Sequence, residues 1–200
     1  MTEGGGVSDP PRRQMRCNPS DLDFEPFKSD TKAVTEFDCG NKDLNDFLCT
    51  DEVRKYQNEL LGRTTLVYHR GNLAAYFTVY NHTLRLEYLK SFKSFTKFGE
   101  YHSDGIPSLA IGRLAVDRNW QGKGIGSAII LKIARNALYG KACAGARLLI
   151  VQAKEEVVGF YSTLGFQFVA DTRNERKRYK EKGTRTMFLD LAVLKKEIEG

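Results

Sequence analysis

The sequence predicts an α/β protein built on one mixed sheet, with a strand, helix, strand crossover at its centre. Three observations predict it. Apolar residues recur at helical spacing between Asn41 and Leu61 and again from Gly124 to Tyr139, the pattern of helices with one buried face. The runs RTTLVYHR, NLAAYFTVYNHTL, SLAIGRLAVD, ARLLIVQA and TRTMFLDLAVL are rich in β-branched and aromatic residues and read as strands. The glycine-rich QGKGIG, Gln121 to Gly126, joins one such strand to a helix, which is how a crossover between strands begins.

Taken in order, the opening MTEGGGVSDPPRRQMRCNPSD concentrates glycine, proline and charge, so residues 1–21 are expected to be a disordered tail. One globular domain follows over residues 22–192, because a chain of 200 residues that is 41% hydrophobic buries one sizeable core. Residues 193–200 are expected as a short C-terminal tail. Leu44, Phe47, Leu48, Val53, Tyr56, Leu60 and Leu61 mark helical faces between Gly40 and Gly62. RTTLVYHR and NLAAYFTVYNHTL, parted around Gly71 and Asn72, read as a hairpin. Residues 84–101 carry Leu84, Tyr88, Leu89, Phe92, Phe95, Phe98 and Tyr101 with three interleaved lysines. That suits an amphipathic helix inserted before the central strand, either packed on the core or turned toward a substrate or partner. After SLAIGRLAVD comes a helix from Gly124 to Tyr139, with a polar stripe at Lys132, Arg135, Asn136 and Tyr139. ARLLIVQA is a buried strand, and a second helix over Glu155 to Leu164 places Val157, Phe160, Tyr161 and Leu164 on one face. Residues 171–185, DTRNERKRYKEKGTR, hold seven basic residues against three acidic ones. They read as a solvated loop, with a phosphate-contacting patch as the alternative.

Composition narrows the function classes. No apolar run approaches the ~20 residues that span a bilayer, and the first residues lack the apolar stretch of a signal peptide, so a cytoplasmic protein with no membrane partner is expected. Cys17, Cys39, Cys49 and Cys143 show no CxxC spacing, which leaves no zinc or redox-dithiol signature and no expected metal. The formal charge of +6 favours polyanionic partners.

The glycines carry the chemistry. A turn without Cβ atoms lets backbone N–H groups converge on an anion, and a helix starting there adds its unpaired N–H groups and positive dipole end. A phosphate or pyrophosphate is the expected guest. The Walker pattern fails because glycine follows Lys123, and GxGxxG fails because its third glycine would fall on Ser127 or Ile129.

What remains, QGKGIG after a strand ending LAVD, resembles the central signature of the GNAT N-acetyltransferases. FYSTLGF, Phe160 to Phe166, looks like that family's FYxxxGF element. FDCGNKDLNDFL, GRLAVDRNWQGKGIG and FYSTLGF together are similar to the branch that includes bacterial toxins acetylating aminoacyl-tRNA. The resemblance covers roughly residues 24–190. It implies a mixed, mostly antiparallel central sheet flanked by helices, with acetyl-CoA in a wedge between two splayed central strands. It implies that Gln121, Gly122, Lys123, Gly124, Ile125, Gly126 and Ser127 form the pyrophosphate site, with Lys123 adding charge from the rim. Leu114 and Val116 would pair with the pantetheine arm as a missing strand would, and the Leu114 N–H would meet the acetyl oxygen. Tyr161 is the general acid implied by the resemblance, a phenol that keeps its proton at neutral pH. One departure stands out: QAKEEVVGFY places Glu155 and Glu156 where many relatives carry Asn or Asp near the pantetheine.

The expected reaction is direct attack by an amine in a ternary complex, since no cysteine sits in a recognised nucleophile motif. An α-amine, with a pKa near 7.7 to 8.0, is about 10 to 15% neutral at pH 7, whereas a lysine is neutral in well under ~0.1% of molecules. An α-amine thus needs little help from a base. His82 and Glu87 are the candidates near the substrate end of the hairpin, and Arg113 is a candidate phosphate or carboxylate anchor or a member of an ion pair. The favoured acceptor is the α-amine of aminoacyl-tRNA, with tRNA meeting residues 171–185, an antitoxin partner and a homodimer implied by the resemblance. The alternatives are a small-molecule or protein amine, and a module that binds CoA without transferring anything.

Overall fold

A computed structural model describes residues 17–28, 32–92, 95, 105–140 and 145–199. Its framework is a seven-stranded sheet: β1 (Leu22–Pro26), β2 (Arg63–His69), β3 (Asn72–Leu84), β4 (Ile106–Val116), β5 (Leu148–Lys154), β6 (Gln167–Phe168) and β7 (Thr184–Asp190), in the order β1-β2-β3-β4-β5-β7-β6. Every neighbouring pair is antiparallel except β4 and β5. That parallel pair is joined by α4 (Ile125–Tyr139), the crossover expected after the glycines. The remaining helices are α1 (Lys32–Thr35), α2 (Lys42–Cys49), α3 (Glu52–Asn58), α5 (Glu155–Thr163), α6 (Arg173–Lys182) and α7 (Leu191–Glu199).

Successive strand residues point to opposite faces, and the sheet uses both. Val67, Phe77, Leu149 and Val151 join Ile125, Ile129 and Ile133 of α4, Tyr161 of α5 and Leu191 of α7 in the largest core cluster. On the other face, Leu66, Tyr76 and Ala115 pack beneath Val34, Phe47, Leu48 and Val53 of α1 to α3. Farther along that face Leu84, Ile106, Ile150 and Phe188 pack with Leu89 and Phe95. The second face is therefore covered in two separate patches, and the strip between them is left as a groove.

Several expectations are corrected. Residues 171–185 are not a loop: α6 starts at Thr172, whose side chain accepts from the Glu175 N–H, and stops at Gly183 in the left-handed region. Its core-facing residue is itself acidic, Glu175, 8% exposed, taking hydrogen bonds from the Thr186 N–H at 2.9 Å and hydroxyl at 2.7 Å. The expected C-terminal tail is α7, anchored by buried Leu191. Of the expected N-terminal tail, residues 1–16 lie outside the described residues, and residues 17–21 are held: the Cys17 N–H donates to the Lys123 carbonyl at 2.8 Å, and Asn18 caps a 3-10 turn over Pro19–Asp21. In the 84–101 stretch the structure shows a 3-10 turn, Leu86–Leu89, in place of a continuous helix; Phe98, Tyr101 and two of its lysines lie outside the described residues, as does Cys143. The edge strands β1 and β6 were not anticipated. No helix among the described residues is long and apolar enough to cross a membrane.

Candidate active site

The site begins as a fault between β4 and β5. They pair only from Ser108↔Leu148 to Ile111↔Val151. Beyond that point β5 stays with β7 as far as Lys154↔Thr184, while β4 stays with β3 as far as Val116↔Ala75. The two strands part where Gly112 is an extra residue in β4, between the pairs Ile111↔Val79 and Arg113↔Thr78. A bulge bends its strand and increases local twist, so Gly112 to Val116 is left without a strand partner on the β5 side. The cleft that results, about 670 Å³, is lined by Leu114 and Val116, by Gly122, Gly124, Gly126 and Ser127, and by Phe160 and Tyr161.

The glycine turn closes one end of this cleft. Gly124 sits at φ +86° directly before α4, where a side chain is strained, and no side chain caps the helix. The first return hydrogen bond is Ala128 N–H to the Gly124 carbonyl, so the N–H groups of Ile125, Gly126 and Ser127 have no partner inside the helix. Gly126 is small for another reason: a Cβ there would stand 3.1 Å from Cζ of Phe160 on α5.

The segment FDCGNKDLNDFL is the brace that holds α2 over this turn. Buried Asp117 accepts from the Asp38 N–H at 3.0 Å, Asp38 accepts from the Gly40 N–H at 2.8 Å and from Asn45 Nδ2 at 2.7 Å, and Arg118 pairs with Asp38 at 3.2 Å. Gln121 donates through Nε2 to the carbonyls of Cys39 and Val116, each at 2.9 Å. Its amide is thus engaged in tying loop to strand. The Lys123 ammonium donates to the Asn119 carbonyl at 2.8 Å and lies 4.7 Å from the centre of the Trp120 ring.

Tyr161 lies in α5 across the cleft from the turn, 6% exposed, between the rings of Phe160 at 5.0 Å and Phe166 at 5.3 Å. Its hydroxyl makes no hydrogen bond among the described residues, and burial alone pushes the phenol up to about 12. Glu156 lines the same cleft, whereas Glu155 lines a different hollow beside α6.

Of the three candidate substrate residues, Arg113 is held as an ion-pair member. Its Nη2 is 3.2 Å from Glu52, and its guanidinium stacks 3.5 Å over the Phe47 ring. His82 lines a cavity of about 160 Å³ on the second face, with Tyr80, Arg85, Tyr88 and Arg178. Burial first, and Arg178 second, hold its imidazole below the ordinary value. It stands opposite Ser108, six residues and roughly 20 Å along the strand from Leu114. Glu87 pairs with Arg85 at 3.5 Å and does not line that cavity. The structure therefore does not bring these three together at one point.

A family profile described as "Acetyltransferase (GNAT) domain" matches residues 62–168, more than half of the chain and the stretch that contains the split strands, the glycine turn and Tyr161. The chain belongs to the GNAT acetyltransferase family. It is an acetyl-CoA-dependent N-acetyltransferase. The fold agrees with solved structures. A bacterial toxin shares 17% identity, with 89% of this chain and 95% of that chain covered and a TM-score of 0.74. AtaT complexed with acetyl-methionyl-tRNAfMet shares 24%, covering 89% and 99%, with a TM-score of 0.70. AtaTR bound with acetyl-CoA shares 26%, covering 90% and 99%, with a TM-score of 0.67.

In this GNAT chain, sequence reasoning did not name Asp43, and it included Arg178 only within the basic run 171–185. Asp43 lines the cleft from the first turn of α2, and Arg178 lines the cavity on the second face. Their signals were the Asn41 cap ahead of DLNDFL and the T-x-x-E box, Thr172 to Glu175, ahead of the basic run.

Proposed function

We propose that this GNAT enzyme acetylates the α-amine of aminoacyl-tRNA, by direct attack in a ternary complex. The observation that carries the acceptor is α6. It presents Arg173, Arg176, Lys177, Arg178, Lys180 and Lys182 against two acidic residues, one of them buried, and it flanks the groove on the second face. A positive helix there suits a polyphosphate acceptor. The fold likeness to AtaT in complex with acetyl-methionyl-tRNAfMet supports the same reading.

The cleft fits the cofactor. An uncapped helix end with free N–H groups from Ile125 to Ser127, reached over Gly122 and Gly124, suits a pyrophosphate. The unpartnered edge of β4 at Leu114 and Val116 suits the amide groups of a pantetheine arm. Bound acetyl-CoA supplies a thioester carbonyl for attack and a thiolate leaving group. The Leu114 N–H holds the acetyl oxygen as negative charge grows on it. Tyr161 keeps its proton at every physiological pH and delivers it to the departing sulfur. Because an α-amine is already about 10 to 15% neutral at pH 7, no strong base is needed, and the proton its nitrogen sheds on forming the amide returns by way of water to the Tyr161 oxygen.

The test is mass spectrometry of a charged tRNA pool incubated with the protein and acetyl-CoA. N-acetylaminoacyl ends are the expected product. Acetylation confined to free small amines or protein lysines, with every aminoacyl end unmodified, refutes the acceptor. Growth arrest on expression, relieved by Tyr161→Phe and by a cognate antitoxin, is the expected cellular result, and light scattering on the same sample checks the expected homodimer.

A further inference from the structure

The groove on the second face has two ends of opposite charge, and the reaction cleft opens into both. One end is a hollow lined by Asp43, Asp46 and Glu52 with Arg113 and Tyr56; it shares Asp43, Leu44, Gly112 and Arg113 with the cleft. The other is the cavity of Tyr80, His82, Arg85, Tyr88 and Arg178; it shares Ile111, Gly112, Val151 and Gln152 with the cleft. The two ends meet at Tyr80 and Gly112.

The charges at each end are not equally occupied. At the acidic end Asp46 pairs with Lys42 and Glu52 pairs with Arg113. Asp43 makes no ion pair within 4 Å and no hydrogen bond among the described residues, and Lys42 acts on it only from longer range, so its carboxylate is available to a cation. At the basic end no carboxylate among the described residues lines the cavity. Arg178 has a partner behind it, Glu175, whose Oε1 is 3.3 Å from Nε, yet that Nε is buried without a hydrogen bond. Both Glu175 oxygens are already taken up by Thr186. Arg85 is 70% exposed beside Glu87. From Gly112, where the cleft opens, to Ser108 opposite His82 is four residues, or about 13 Å of strand.

We propose that this groove selects an acceptor carrying both charges: a primary ammonium seated at Asp43 beside the bulge, and a phosphate group at Arg178 and Arg85. The proposal rests on the acetyl-transfer reading of the cleft, and it names Asp43, Arg178 and Arg85 as specificity residues. A guanidinium matches a phosphate through paired N–H donors. A cation at that end repels a polyamine, which carries positive charge at both termini, so the groove discriminates among amines by what lies behind the amine.

The experiment uses the full chain with acetyl-CoA and three acceptors: the best aminoacyl-tRNA from the pool assay, the methyl ester of the same amino acid, and 2-aminoethyl phosphate. The ester presents the same α-amine without a phosphate. Arg178→Gln is expected to lower the ratio of kcat/KM for the tRNA over that for the ester by about tenfold or more, mainly through KM, the scale of one lost charge-assisted hydrogen bond. Arg178→Lys should restore part of the ratio. Arg85→Gln, which leaves the Glu175 contact intact, should move it in the same direction. Asp43→Asn should lower kcat/KM for both acceptors alike. The proposal is overturned if neither arginine variant moves the ratio, if Asp43→Asn leaves both acceptors at wild-type values, or if spermidine is the preferred substrate. Should no aminoacyl-tRNA react while 2-aminoethyl phosphate is acetylated with the same arginine dependence, the tRNA reading falls and the charge selection stands.

Discussion

Replacing Tyr161 with phenylalanine separates its chemistry from its packing. The ring is 6% exposed and wedged between Phe160 and Phe166, and its hydroxyl has no partner among the described residues to abandon. Phenylalanine fills the same space, so stability at pH 7 should change by no more than ~1 kcal/mol. The activity should fall far more. A positioned general acid contributes roughly 10² to 10⁴ in rate, about 2.7 to 5.5 kcal/mol of barrier. The variant should therefore lose at least a hundredfold in kcat, read as thiol release, while calorimetry finds acetyl-CoA bound as before. A second signature lies at high pH. Burial raises this phenol from 10.0 to about 12, worth about 3 kcal/mol. Because the folded value is the higher one, that stability is complete below pH 10 and drains away as pH rises from about 10 toward 12. The wild type should lose denaturant stability over that window more steeply than Tyr161→Phe. A variant that keeps kcat within tenfold of wild type, at unchanged melting temperature, removes Tyr161 from the proton-donor role.

Other perturbations read other parts of the design. Gly124→Ala places a side chain at φ +86° with open space around it, so it should cost about 1 to 2 kcal/mol of stability by conformational strain, measured by urea unfolding. Gly126→Ala crowds Phe160 instead; its helix-propensity gain of about 1 kcal/mol offsets the crowding, so its melting temperature should stay near wild type while acetyl-CoA affinity drops. Glu175→Ala leaves the buried Thr186 N–H and hydroxyl unpaired and should destabilise by about 2 to 4 kcal/mol, with α6 losing protection in hydrogen exchange. Lys180→Gln removes one exposed charge of α6, and should reduce the slope of log tRNA affinity against log salt by about 1.

Much of the site was legible in the chain because it is written in local backbone demands. The glycines of QGKGIG announce a turn without side chains, and the following apolar run announces the helix whose end it exposes. The parallel crossover, the hairpin and the aromatic pair Phe160 and Tyr161 follow from periodicity in the same way. The missing pieces share a physical cause. In α6 there is no apolar face to find, because the contact with β7 is made by a carboxylate whose oxygens are satisfied by Thr186. β6 is too short, and β1 too charged along its outer side, to stand out from loops.

Sequence alone pointed to the family, the hairpin, the strand-helix-strand crossover and the anion-ready helix entrance, since each is carried by short local motifs. Only the tertiary structure decided that Arg113 is tied to Glu52 and Phe47, that Lys123 lies over Trp120, and that Gln121 holds Cys39 to Val116. It alone split the second face into an acidic and a basic end around Gly112. A side chain's charge is written in the sequence, but its partner is fixed by which strands and helices are brought side by side, and that pairing joins residues far apart along the chain.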